Sequence, residues 1–172
     1  AAQIYEEMLL RFPNTDLLDE VHYNLGWAYI GLKNPNEAIE HFKIVEEDGH
    51  DEVLRAGALC RIGDTFMEMG ELEKAVEEYD KVLKANPKSL YADYAQYQLG
   101  STLFRLGRID SAILSFQSLL VNYPKSHYQD EALYRLGTSL MQKQNVEGAA
   151  EQFKKLFTLF PESALKEKAY YQ

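Results

Sequence analysis

The stretch ANPKSLYADYAQYQLG at residues 85–100 decides the fold, because NYPKSHYQDEALYRLG at residues 122–137 repeats its pattern 37 positions later. Glycines keep this spacing through the chain at Gly26, Gly63, Gly100 and Gly137. Alanines keep it, each followed four positions later by an aromatic residue: Ala1 and Tyr5, Ala38 and Phe42, Ala75 and Tyr79, Ala112 and Phe116, Ala149 and Phe153. Prolines keep it at Pro13, Pro87, Pro124 and Pro161, and His50 occupies the vacant proline position. Self-similarity at one fixed period of this length predicts an array of stacked small units.

Each unit predicts two helices, called helix A and helix B. In the third unit apolar residues recur at helical spacing over about 89–106, and Gly107 gives helix A a natural end. Helix B is expected from Ile109 to Asn122, before Pro124. Asn34 and Asn145 are expected to cap two other B helices, and Ser126 the next helix A.

Small residues are expected where the two helices of a unit cross. Gly100 and Ala112 would let the backbones approach closely, and Phe116 would fill the gap toward the neighbouring unit. One unit cannot bury both of its faces, so stability should come from stacking.

These residues resemble the tetratricopeptide repeat, whose signature is Leu-Gly in helix A, Ala and an aromatic residue in helix B, and a closing Pro. The resemblance implies an all-α, right-handed superhelical solenoid of antiparallel helix hairpins. We expect a single array, excised from a longer protein, with these parts: helix B of a half repeat at 1–14, repeats at 15–50, 51–87, 88–124 and 125–161, and the start of a further helix A at 162–172. The three residues beyond the family's usual period resemble a longer subclass. It includes the periplasmic coordinator protein of the bacterial Tol–Pal system and the lipoprotein of the outer-membrane β-barrel assembly machine.

Composition and charge narrow the possible partners. The chain has 172 residues, of which 46% are hydrophobic and 26% charged, which is an ordinary globular balance. Its net charge of −9 argues against a nucleic-acid partner, because a phosphate backbone requires a basic surface. Residues 1–86 carry 8 Lys and Arg against 19 Asp and Glu, whereas residues 87–172 carry 10 against 8. A basic partner would therefore favour the first half, although a solvated acidic face that aids solubility explains the same charge.

No catalytic or metal-binding motif stands out, so we expect neither an enzyme nor a cofactor. None of the four histidines lies in a metalloprotease-type motif, and the glycines do not form a phosphate-binding loop. Acidic residues surround Gly49 and His50, where a calcium site is conceivable but a solvated corner with a looser junction is favoured. The single cysteine, Cys60, excludes an internal disulfide and is expected to be a partly buried free thiol.

The resemblance implies that the A helices line a concave, partner-binding face. The positions carried over are Glu20, Tyr23, Trp27, Ile30, Asp64, Met67, Tyr94, Tyr97, Ser101, Phe104, Arg105, Tyr134, Thr138 and Met141, together with Gly57, Cys60 and Glu131. Tyr23, Tyr97 and Tyr134 share one position of the repeat, so they either bind a partner or pack as an element of the subclass. Trp27 and Phe104 do not recur, which favours binding for these two. Arg105 is the only basic residue in the set, which argues against the carboxylate clamp of chaperone-binding relatives.

The sequence therefore predicts a non-catalytic scaffold that holds a peptide or partner segment in an aromatic-lined groove. The resemblance implies a role in bacterial envelope or outer-membrane assembly, in the periplasm or at the outer membrane, with the cytoplasm as the alternative. A self-assembling scaffold, stacked head to tail through incomplete terminal repeats, and a regulatory module of a larger protein are the other open functions. No apolar run is long enough to cross a bilayer.

Overall fold

The computed structural model describes residues 1–172 and contains helices and connecting turns but no strand. The all-helical prediction is therefore confirmed. The ten helices are α1 (Ala2–Arg11), α2 (Leu18–Gly31), α3 (Pro35–Asp48), α4 (Glu52–Met69), α5 (Leu72–Ala85), α6 (Ala92–Arg105), α7 (Ile109–Asn122), α8 (Gln129–Gln142), α9 (Val146–Leu159) and α10 (Lys166–Tyr170). None of them combines the length and the apolar content that a membrane crossing needs.

The chain divides into two compact units, residues 1–92 and 93–172. In the first unit α2 packs on α3, α4 packs on α5, and α3 joins the two hairpins by packing on α4. In the second unit α8 packs on α9, and α7 packs on α8. Consecutive helices thus form the hairpins that the repeat predicts.

A glycine of helix A lies under an aromatic ring of helix B in each hairpin. A Cβ added to Gly26 would lie 2.5 Å from Phe42, and one added to Gly100 would lie 2.7 Å from Phe116. Both rings are fully buried. The glycine is required because the ring occupies the space of a side chain. The sequence interpretation needs correction here, because Phe116 fills a gap inside its own hairpin.

The turn between helix A and helix B is left-handed in four hairpins. Gly70 and Gly107 have φ of 80° and 74° there, and Lys33 and Gln144 have φ of 59° and 60° at the equivalent positions. Gly107 therefore follows helix A as predicted, and α7 has the predicted bounds. By contrast, α6 begins at Ala92 rather than at about residue 89. Residues 86–91 form turns instead, in which the Ser89 amide donates to the Asn86 carbonyl.

The predicted caps are only partly present. Asn145 Oδ1 accepts a hydrogen bond from the Gly148 amide at 3.0 Å, which caps α9. Asn34 precedes α3 but makes no such bond. Ser126 Oγ accepts from the Tyr128 amide at 3.1 Å and thereby stabilises the turn before α8.

The acidic residues near His50 stabilise helix ends and the junction between repeats. Asp51 Oδ1 accepts from the Val53 amide at 2.7 Å and caps α4. The His50 amide donates to Asp19 Oδ2 at 2.7 Å. Proline has no amide hydrogen, so the loss of proline at this position supplies a tie between repeats rather than a looser junction. At the later junction Ser163 Oγ donates to Asp130 Oδ2 at 2.6 Å instead.

Two partly buried histidines join α2 to α3. His22 Nδ1 and His41 Nδ1 lie 3.0 Å apart, so one nitrogen donates and the other accepts. Tyr29 stacks on His41 with ring centroids 5.4 Å apart, and its hydroxyl donates to Glu6 on α1. Sequence analysis missed this pair because the two residues belong to different helices and to no motif.

Acid should weaken the first unit through this pair. Burial lowers the pKa of both imidazoles below 6.5, and for His22 the neighbouring His41 adds to the effect. Asp19, Glu6, Glu37 and Glu40 oppose the shift without cancelling it. The unfolded chain therefore binds more protons, and the pair's stabilisation, complete above pH 6.5, is lost as the pH falls from there to the lowered pKa values.

The expected result is a pH-dependent difference between the wild type and His41→Gln. The free energy of unfolding of the wild type relative to this variant should decrease between pH 7.5 and pH 5, as measured by urea unfolding. His127→Gln is the control, since His127 is exposed in a different unit and should leave the wild-type profile unchanged. A constant difference between wild type and His41→Gln would contradict this account.

Candidate functional site

One part of the surface between α2 and α4 is closed by the protein's own side chains. Tyr23 packs its edge on Phe42, with ring centroids 5.5 Å apart. Its hydroxyl and the Tyr91 ring both lie within 3.2 Å of where a Cβ of Gly57 would be. Burial and then Tyr91 raise the pKa of Tyr23. Tyr23 and Gly57 therefore have a packing role here, the second of the two alternatives for the tyrosine position.

Another part of this surface is an open depression, called the Trp27 depression below. Its lining on α2 and on the turn that follows consists of Trp27, Ile30 and Lys33, and Pro35 at the start of α3 adds to it. Its lining on α4 consists of Arg61, Asp64, Thr65, Glu68 and Met69. Two adjoining volumes of about 70 and 280 Å³ share the side chains of Ile30, Thr65 and Glu68. Of the predicted positions, the structure thus brings Trp27, Ile30 and Asp64 together.

Trp27 is held in place but not covered. It remains 44% exposed, meets Phe42 edge-on at 6.4 Å, and carries the Arg61 guanidinium over its ring at 5.3 Å. Arg61 in turn pairs with Asp64 at 2.9 Å. A fixed aromatic surface costs little conformational entropy on binding, which suits an anchor for a partner.

Two residues of the depression have roles that the sequence did not predict, Asp64 and Arg61. Asp64 also accepts a hydrogen bond from the buried Tyr79 hydroxyl at 2.7 Å, so its carboxylate supports the wall of the depression. Arg61 was not among the predicted positions, where Arg105 stood as the only basic residue. The signal available in the sequence was the spacing of Arg61 and Asp64, which places both on one helix face.

In the second unit two of the predicted tyrosines pack on Tyr128, which was not among the predicted positions. Tyr97 stacks on Tyr128 with centroids 5.1 Å apart and planes at 11°, and Tyr94 lies 5.8 Å from the same ring. The Ser101 hydroxyl is buried. Phe104 is only partly exposed, whereas Arg105 is exposed. The structure does not gather Phe104 and Arg105 with these tyrosines into a described depression.

The remaining predicted positions lie outside the Trp27 depression. Tyr134 and Met141 pack against a core cluster that includes Leu133 and Phe153. Thr138 Oγ1 donates to the Arg135 carbonyl at 2.9 Å. Glu20 is exposed and Met67 partly buried, and neither lines the Trp27 depression.

Glu131 and Cys60 are the two remaining ionisable groups of the predicted face. Burial, together with the adjacent Asp130, raises the pKa of Glu131 to about 7. Cys60 is fully buried rather than partly buried, so its thiol is part of the core of the first unit. No group of three His, Cys, Asp or Glu side chains is arranged to hold a metal ion.

Comparison with solved structures supports the fold. MamA is 24% identical, with a TM-score of 0.74 over 91% of this chain and 85% of that one. YrrB, described as a tetratricopeptide repeat protein with an unusual peptide-binding site, is 19% identical, with a TM-score of 0.75 over 99% and 82%. A tetratricopeptide repeat protein from Parabacteroides merdae is 22% identical, with a TM-score of 0.75 over 89% of this chain and 57% of that one. No curated protein sequence matches the chain.

Family models identify the family of this chain, which similarity of fold alone does not. A tetratricopeptide repeat model matches residues 60–127 and 97–164, and a second one matches residues 19–43. These matches include the Gly-and-aromatic hairpins described above and cover more than half of the sequence. Proteins of this family are generally non-catalytic scaffolds for protein–protein interaction. The chain belongs to the tetratricopeptide repeat family.

Proposed function

We propose that this chain binds a short segment of another protein in the Trp27 depression. The observation that carries the proposal is the exposure of Trp27, which is 44% accessible in a wall that also holds Ile30 and the ion pair of Arg61 with Asp64. The equivalent positions of the other repeats hold Asp64, Ser101 and Thr138, so an aromatic ring at this position is not part of the repeated packing. Large aromatic side chains in partly formed pockets supply much of the affinity of protein interfaces.

The depression suits one or two side chains rather than a whole folded surface. Its larger volume of about 280 Å³ accepts an apolar side chain beside Ile30, and the exposed Glu68 carboxylate in its lining can meet a backbone amide or a cationic group. An extended or helical peptide that inserts one anchor residue fits this shape. YrrB has a peptide-binding site in its own description, which is consistent with this proposal.

Selection from a phage-displayed library of random short peptides tests the proposal. Peptides that bind the wild type are expected to lose at least about tenfold in affinity on Trp27→Ala, since a buried aromatic anchor is worth about 2 kcal/mol or more. Trp27 is the only tryptophan, so its fluorescence reports binding directly in the wild type. Leu114→Ala is the matched control, because Leu114 is an exposed apolar residue of α7 outside the depression.

Circular dichroism shows whether each variant keeps its helices. Ile30→Ala provides a second change in the same wall that leaves the contact of Trp27 with Phe42 in place. If the selected peptides bind both variants as tightly as the wild type, the Trp27 depression is not their site and the proposal is wrong.

Two broader proposals accompany this one. We propose the bacterial cell envelope as the setting, on the strength of the long-repeat pattern at residues 122–137. Head-to-tail stacking of copies is the alternative to peptide binding. It would use the depression of about 420 Å³ lined by Phe157, Lys166, Glu167, Tyr170 and Tyr171.

A further inference from the structure

One carboxylate in the Trp27 depression has no charged partner. Glu68 is exposed, lines both adjoining volumes, and makes no ion pair or hydrogen bond. The guanidinium of Arg61, the nearest basic group of the same helix in the lining, is already matched by Asp64 at 2.9 Å. An unmatched negative charge therefore lies beside the apolar surface of Trp27 and Ile30.

The net charge of the first unit also favours a positively charged ligand. Residues 1–92 carry 9 Lys and Arg against 19 Asp and Glu, a net charge of −10, whereas residues 93–172 carry 9 against 8. A field of this sign attracts cationic segments and raises their association rate. The long-range charge and the local carboxylate thus favour the same class of ligand.

Lys33 limits how basic that ligand can be. It lies in the left-handed turn after α2, lines the end of the depression beyond Ile30, and makes no ion pair. A second cation bound next to it would be repelled. The depression therefore suits a single basic residue with an apolar neighbour better than a polybasic run.

We infer that the bound segment carries a lysine or arginine next to a large apolar residue. Its cation pairs with the Glu68 carboxylate, and its apolar side chain packs on Trp27 and Ile30. This inference rests on the proposed function and adds the chemical class of the partner. The net charge of −10 on the first unit disfavours an acidic C-terminal peptide, the ligand of a carboxylate clamp.

The phage-displayed library separates this inference from the proposed function. Peptides that bind the wild type but not Trp27→Ala are collected and sequenced. They are expected to be enriched in Lys or Arg adjacent to Leu, Ile, Met or Phe. One such peptide, and the same peptide with its basic residue replaced by Gln, are then titrated by Trp27 fluorescence.

Glu68→Gln should weaken binding of the basic peptide by about fivefold and leave its Gln counterpart nearly unaffected. Glu77→Gln is the matched control, since it removes the same charge from an exposed site on α5 outside the depression. Its effect should stay below about twofold, which corresponds to long-range charge alone.

The outcomes distinguish failure of this inference from failure of the proposed function. Trp27-dependent peptides with no basic enrichment, or an equal effect of Glu68→Gln and Glu77→Gln, would overturn the inference and leave the proposed function standing. A library that yields no Trp27-dependent peptide would overturn both.

Discussion

Replacing Phe116 with alanine is expected to lower the free energy of unfolding by about 3–5 kcal/mol. The ring is fully buried, packs on Gly100 where a Cβ would lie 2.7 Å away, and lies 6.2 Å from the Tyr97 ring. Its removal leaves a cavity between α6 and α7 that cannot close, because two rigid helices form its walls. The loss includes both the transfer of the ring from water and the contacts of the cavity lining.

Urea unfolding followed by circular dichroism measures this loss. Leu114→Ala is the control in the same helix, because Leu114 is 64% exposed and its truncation should change stability by less than about 0.5 kcal/mol. Repeat arrays can unfold in parts, so the variant should also show an earlier, separate transition. A loss below about 1 kcal/mol for Phe116→Ala would show that the ring does not hold the hairpin together.

Gly26→Ala is expected to destabilise the protein by up to about 2 kcal/mol, although alanine is the better helix former. The added Cβ would lie 2.5 Å from Cε1 and 2.6 Å from Cζ of the buried Phe42 ring. Forcing the ring aside costs about 1–3 kcal/mol, which exceeds the gain of about 1 kcal/mol in helix propensity.

Gly31→Ala in the same helix is the matched control and should have the opposite sign. Nothing lies within 4 Å of a Cβ at Gly31, and its φ is not positive, so only the propensity gain of up to about 1 kcal/mol remains. The pair of variants isolates the contact with the ring from the property of glycine itself. Stabilisation by both substitutions would contradict the role assigned to Gly26.

Much of the fold could be predicted because its determinants are local. The bounds of α7 and the left-handed turn at Gly107 follow from apolar spacing and from residues that end helices. The start of α6 was placed three residues early. Residues before Ala92 have a helix-like pattern, but the turn bond between Ser89 and Asn86 competes with the helix there.

The candidate site could be predicted only in part. Trp27 was identified because it breaks the periodicity of its column, and the structure leaves it exposed. Phe104 was selected by the same argument, yet it lines no described depression. A break in a pattern shows that a residue is not part of the repeated packing, but it does not show what surrounds that residue.

Side-chain contacts between different helices could not be predicted from the sequence. The hydrogen bond between His22 and His41 depends on how α2 rotates against α3, and the position of Arg61 over Trp27 depends on how α4 lies beside α2. Residues such as Asp64 looked like open groove positions but satisfy a buried hydroxyl of the adjacent helix. Burial and pairing of this kind arise only when the hairpins stack.

The sequence by itself determined the helices and their pairing into hairpins. Each of these depends on side chains within one repeat, whose spacing along the chain sets their relative positions. Only the tertiary structure decided which part of the surface between α2 and α4 is open. Tyr23 and Tyr91 come from different repeats and meet over Gly57, whereas Trp27 stays 44% exposed although the Arg61 guanidinium lies over its ring. Whether such a space is filled depends on the reach of side chains from separate helices, which spacing along the chain does not encode.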